Sequence, residues 1–88
     1  MKKHLKQKIL EYTAIFEPAK EGGYTVSVPT LPGCATQGET FEEAVTNIKD
    51  AMQGYLAVLK EEGEDIPTET QQIIISKVTV ANPVFSSL

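Results

Sequence analysis

Between residues 9 and 16 apolar and polar side chains alternate, with Leu10, Tyr12, Ala14 and Phe16 on one side and Ile9, Glu11, Thr13 and Ile15 on the other. A period of two is that of a β-strand. From Pro18 to Gly23 the residues have turn chemistry, with Lys20 and Glu21 at the tip, and the alternation resumes with Tyr24, Val26 and Val28 on one side. The pattern predicts an antiparallel hairpin. Pro29 and Pro32 then fix φ and cannot donate a ladder hydrogen bond, so the second strand must stop there. After this corner, residues 34–37 form a third, short extended piece that returns beside the second strand.

The period changes at Phe41. Phe41, Ala44, Val45, Ile48, Ala51, Met52, Tyr55, Leu56 and Leu59 are spaced by three and four over about five turns, which predicts an amphipathic helix over 41–62. Thr40 and Glu43 read as a capping box, the Thr40 hydroxyl accepting from the Glu43 amide while the Glu43 carboxylate reaches back to the Thr40 amide. Gly63 sits where a left-handed cap is wanted, and Pro67 prevents the helix from resuming. Gly54, beside the apolar stripe, suggests a close approach to another backbone, or simply a tolerated cost of about 1 kcal/mol. Residues 73–80, Ile-Ile-Ile-Ser-Lys-Val-Thr-Val, close the pattern as a fourth strand.

The order β-β-β-α-β defines an α+β domain. Three up-and-down strands and one descending helix make the fourth strand parallel to the first, giving a sheet order of 3-2-1-4 with the helix across one face. A single helix covers a single face. Apolar positions of the outer strands, Ile9 and Ile15 on the first and either Ile73 and Ile75 or Ile74, Val78 and Val80 on the last, must turn to the other face and are expected to be covered by another copy in at least a dimer, with Ile9, Ile15, Ile74 and Val78 as the self-association candidates.

At 88 residues the chain has room for one domain, assigned to 9–80, between a basic, flexible tail over 1–8 and a C-terminal tail over 81–88. No run of 18 apolar residues exists, and the charged N-terminus lacks the apolar stretch of a secretory signal; a cytoplasmic protein without a membrane segment is expected. Cys34 is the single cysteine and His4 the single histidine. That excludes an internal disulfide, leaves no plausible metal ligand set, and makes a packed thiol the better reading of Cys34 than a nucleophile without a base. No cofactor is expected: the glycine pairs 22/23 and 33/38 lack the lysine and helix of a phosphate loop, and the acids 61, 62, 64 and 65 lack the ligand alternation of a calcium loop.

Charge narrows the partners. All eight basic residues are lysines, and four of them lie before residue 9; from there on four lysines face all twelve acids, a net charge of −8. A body so acidic and without arginine is poorly suited to nucleic acid, so direct DNA binding by this chain is not expected. It suits a basic protein partner, although acidity serves solubility equally well.

The corner Leu31-Pro32-Gly33-Cys34, the run from Gly38 to Ala44 (Gly-Glu-Thr-Phe-Glu-Glu-Ala), and then Asn47, Ala51, Tyr55 and Leu56 resemble the HicB family of antitoxins over roughly residues 9 to 80. The resemblance implies a partial ribonuclease-H-like fold and a non-enzymatic antitoxin of a type II toxin–antitoxin pair, which binds and blocks a small basic HicA-type mRNA-cleaving toxin. Leu31, Pro32, Gly33, Cys34, Glu39, Glu43 and Asp50 are the partner-binding candidates on this view. HicB proteins commonly continue into a helix-turn-helix or ribbon-helix-helix segment that binds their operator, and the residues after Pro67 carry no helical pattern. The competing reading is an orphan module of the same fold that oligomerises or senses a ligand without a toxin. Catalysis is not expected from the ribonuclease-H-like layout. Such chemistry holds two metal ions between clustered carboxylates, whereas Glu11 points away from the Tyr12 face and Glu42, Glu43 and Asp50 lie on the polar side of the helix.

Overall fold

The computed structural model describes residues 9–83; the basic stretch 1–8 and residues 84–88 lie outside the described residues. Three strands, β1 (Ile15–Pro18), β2 (Tyr24–Ser27) and β3 (Ala35–Gly38), precede one helix, α1 (Phe41–Glu61). The strands form an antiparallel sheet with β2 in the centre. Phe16 is opposite Val26, which is opposite Thr36, so these side chains share the face beneath the helix. The hairpin closes through Ala19 N–H to Gly23 O at 2.9 Å and Gly22 N–H to Ala19 O at 3.1 Å. Gly22 and Gly23 take φ of 100° and 77°, values that side chains with a Cβ rarely adopt.

At the helix start the Thr40 hydroxyl accepts from the Glu43 amide at 3.0 Å, as the capping box requires. The return bond differs from expectation: the Glu43 carboxylate accepts from the Glu39 amide at 2.8 Å, one residue earlier than the Thr40 amide. Glu39 is thereby fastened to the cap. At the other end Glu64 N–H reaches Leu59 O and Gly63 N–H reaches Lys60 O, a Schellman closure made possible by Gly63 at φ 70°. The core is small: Val26 and Val28 from the sheet, Leu31 and Cys34 from the corner, and Ala44 and Ile48 from the helix. Tyr12, Ala14, Phe16, Tyr24, Met52, Tyr55 and Leu56 pack around it. Gly38 lies so close to the helix that a Cβ there would come within 2.4 Å of the Ala44 nitrogen. Phe41 stacks on Phe16 with ring centroids 4.8 Å apart and meets Tyr24 edge-on at 6.2 Å.

Two sequence expectations are corrected. The first strand is paired only over Ile15–Pro18; residues 9–14, which alternate as a strand should, have no ladder partner. The fourth strand is absent from the sheet, so the order is 3-2-1 rather than 3-2-1-4. Residues 73–80 are exposed throughout, and beyond Glu64 the described chain makes no backbone–backbone hydrogen bond. The root of this arm is nevertheless tied to the body by side chains. Glu69 accepts from the Thr13 amide at 2.7 Å, the Thr13 hydroxyl at 2.7 Å and the Thr30 hydroxyl at 2.8 Å, and the Tyr12 hydroxyl donates to Pro67 O. A side chain therefore holds the Thr13 amide at the mouth of β1. Gly54 shows no close approach either, since a Cβ there would meet nothing within 4 Å.

Candidate partner-binding surface

The corner between β2 and β3 is a tight loop held from both sides. Leu31 N–H donates to Val28 O at 2.9 Å, Cys34 N–H to Leu31 O at 2.9 Å, and Val28 N–H to Cys34 O at 3.0 Å. From the helix, the Tyr55 hydroxyl donates to Pro32 O at 2.9 Å. Gly33 turns the chain at φ 85°. Of the four corner residues singled out by the sequence, Leu31 is fully buried and Cys34 nearly so, while Pro32 and Gly33 are exposed. Leu31 and Cys34 shape the corner from within; Pro32 and Gly33 are the surface it presents. Burial pushes the Cys34 thiol pKa up, which keeps it protonated and inert, in keeping with a packed thiol.

Beside that corner runs a groove of about 500 Å³, lined by Gly33, Cys34, Ala35, Ala51, Gly54, Tyr55, Val58 and Leu59. Its origin is compositional: two glycines and two alanines face one another where the helix passes the corner, leaving a trough with Val58 half-exposed on its rim. Sequence reasoning missed Val58, which lies outside the apolar stripe. The available signal was the pair Gly54 and Val58, small and apolar residues on what should be a polar helix flank.

The acidic candidates are at the surface. Glu39 and Glu43 flank the start of α1 and Asp50 lies at its middle, all three exposed. Glu39 and Glu43 also border, with Glu21 and Asn47, a polar depression at the end of the sheet; there Asn47 Nδ2 donates to Gln37 O at 2.8 Å and ties helix to strand. The self-association candidates divide. Ile9, Ile74 and Val78 are strongly exposed, whereas Ile15 is half-buried. The register puts Ile15, Glu17, Thr25, Ser27, Ala35 and Gln37 on the sheet face away from the helix, so that face is mainly polar. The exposed large apolar side chains are carried instead by Ile9, Phe41, Val58 on the groove rim, and residues 73–80.

Among the described residues no group of three or more His, Cys, Asp or Glu side chains is placed to hold a metal ion. Within the same residues, no helix is long and apolar enough to cross a membrane.

Comparison with known proteins agrees with the family resemblance. A UPF0150 protein of Thermoplasma acidophilum is 45% identical over 65 residues, covering 74% of this chain and 94% of the relative. Antitoxin HicB 1 of Photorhabdus laumondii is 42% identical over 60 residues, which is 68% of this chain but 39% of the relative. Antitoxin HicB of Escherichia coli K12 is 41% identical over 58 residues, 66% of this chain and 42% of the relative. The chain thus spans nearly the whole length of that UPF0150 protein and about two fifths of the two named antitoxins. The family model described as the HicB-like antitoxin of bacterial toxin–antitoxin systems matches residues 12–87, and the chain belongs to that family.

Proposed function

We propose that this chain is an antitoxin that binds and blocks a small, basic HicA-type mRNA-cleaving toxin, acting as a non-enzymatic binding module. The observation that carries this reading is membership of the antitoxin family over residues 12–87. Two physical features support it. A net charge of −8 over the chain from residue 9 onward offers a basic ribonuclease the sign of charge its RNA substrate would offer. The groove between Gly33 and Val58, bordered by the exposed Pro32, gives an apolar anchor site of the kind that dominates protein interfaces. On this reading Pro32, Gly33 and the groove make the contact, and Glu39, Glu43 and Asp50 steer the toxin toward it. Self-association into at least a dimer, through the exposed Ile9, Ile74 and Val78, belongs to the same proposal.

A second reading, an orphan oligomerising module, is favoured by one observation: relatives of matching length, such as the one from Thermoplasma acidophilum, are named only as UPF0150 proteins. One experiment separates the two. Expression of the open reading frame adjacent to this gene is expected to arrest growth, and coexpression of this chain to restore it. An adjacent frame that is harmless, or arrest that this chain leaves unrelieved, removes the antitoxin reading.

A further inference from the structure

Two segments of the chain read as strands and have no ladder within one molecule. Residues 9–14 alternate and lead into β1, the edge strand of the sheet, with only the Thr13 amide taken up, by the Glu69 carboxylate, and residues 73–80 form an exposed β-branched run. Ile9 is 86% exposed, and along one side of the arm Ile74, Val78 and Val80 are 83%, 85% and 84% exposed. An eight-residue stretch with unpaired amides and a row of bare aliphatic side chains is unfavourable in water, and an open sheet edge is a template for such a stretch. The root of the arm, held by Glu69 on Thr13 and Thr30, lines one shallow groove with Glu11, Tyr12 and Thr13 as far as Ile73. The arm is thus anchored beside its own first strand, and its residues 74–80 lie exposed.

We propose that residues 73–80 of one copy add as a fourth strand to the β1 edge of a second copy, along its residues 9–14, and that the exchange is reciprocal. This rests on the self-association proposed above and names its mode. Charge selects the occupant. Residues 70–83 carry one charged group, Lys77, whereas residues 9–69 hold three lysines against twelve acids. A weakly basic arm complements an acidic body of its own kind, with Glu11 and Glu17 exposed on the receiving strand, and gains nothing from a basic toxin. Reciprocal exchange closes the pair about a two-fold axis, satisfies both arms and both edges, and leaves no free edge to propagate. The four-stranded sheet expected from the family resemblance is then completed in trans.

The test uses the full chain. Sedimentation equilibrium at micromolar concentration is expected to give a dimer, and isotope-edited NMR on a mixture of differently labelled copies is expected to show intermolecular contacts between residues 9–14 and 73–80. Val78→Pro, which removes a ladder amide while leaving the body intact, is expected to weaken association at least tenfold, and Ile74→Lys to do the same with unchanged circular dichroism of the helix. A monomeric wild type overturns the proposal, as does a dimer lacking those contacts, or an arm that orders only when a toxin is added. An exchanged dimer that rescues no toxin upholds the exchange and removes the antitoxin reading alone.

Discussion

Gly54 separates stability from binding at a single position. It occupies the middle of an exposed helix flank with open space where a Cβ would stand, so its only structural effect is the conformational entropy it adds to the unfolded chain. Gly54→Ala is expected to stabilise the protein by about 0.5–1 kcal/mol, read as a higher denaturant midpoint at unchanged slope. Gly54→Leu fills the groove beside Gly33 and is expected to fold normally yet lose toxin neutralisation in the growth assay; full rescue by that variant would move the toxin contact elsewhere. Glu69 makes a second prediction. The Thr13 amide first, then the Thr13 hydroxyl, and last the Thr30 hydroxyl hold its carboxyl below the ordinary value of 4.5, against a desolvation that exceeds the Thr30 contribution but not those of Thr13. A depressed folded pKa means that the anchor stabilises fully above that ordinary value and is lost as pH falls through the folded one. The Thr13 amide resonance is expected to titrate with a midpoint below 4.5, and the titration to vanish in Glu69→Gln; a midpoint at or above 4.5 contradicts the anchor. Tyr12, whose pKa is raised by burial and then by the nearby Glu69, stays protonated and keeps its bond to Pro67 through neutral pH.

Among elements, α1 has the clearest ends because both are closed by specific chemistry. Thr40→Ala removes the hydroxyl that accepts the Glu43 amide and is expected to cost about 1 kcal/mol, a fall in Tm of roughly 4–8 °C for a domain of this size. The shifted return bond, from the Glu39 amide to the Glu43 carboxylate, changes how acidic variants are interpreted. Reversing Glu43 would strip a cap and place a cation on the positive end of the helix dipole, so its effect on binding is mixed with one on folding. Asp50, at the middle of the helix, is free of that difficulty; Glu39 lends the cap only its backbone amide but shares the same helix end. The sheet is the weaker element, with four-residue strands and one edge ending at Pro18, and it depends on the corner bonds and on Asn47 and Tyr55 reaching across from the helix.

For the whole molecule, the acidic body predicts a kinetic signature. Attraction over distances beyond contact raises the association rate more than the final affinity, and salt screens it. Between about 50 and 500 mM salt the Debye length falls from roughly 14 to 4 Å, and the association rate with a basic toxin is expected to fall with it in stopped-flow measurements. Glu39→Lys and Asp50→Lys are expected to slow association further while leaving dissociation nearly unchanged. A rate indifferent to ionic strength would exclude electrostatic steering.

Local chemistry was legible wherever a residue acts on its own neighbours: the period-3.6 stripe from Phe41, the Thr40 cap, Gly63 at the exit, the hairpin around Gly22 and Gly23, and the two prolines of the corner. So was the family, through the corner and cap residues. What the sequence could not reveal depends on groups far apart along the chain. Glu69 lies 56 residues from Thr13, and no periodicity announces that its carboxylate will occupy the mouth of β1. The groove likewise is lined by Gly33 and Ala35 on one side and Ala51 and Gly54 on the other, from segments apart in sequence. The β-branched run of residues 73–80 read as a strand, since such side chains favour that backbone wherever it lies, but a strand needs an edge to pair with. Tertiary structure decided that: pairing with the β1 edge joins segments far apart along the chain, and the sheet of the described residues holds three strands without it.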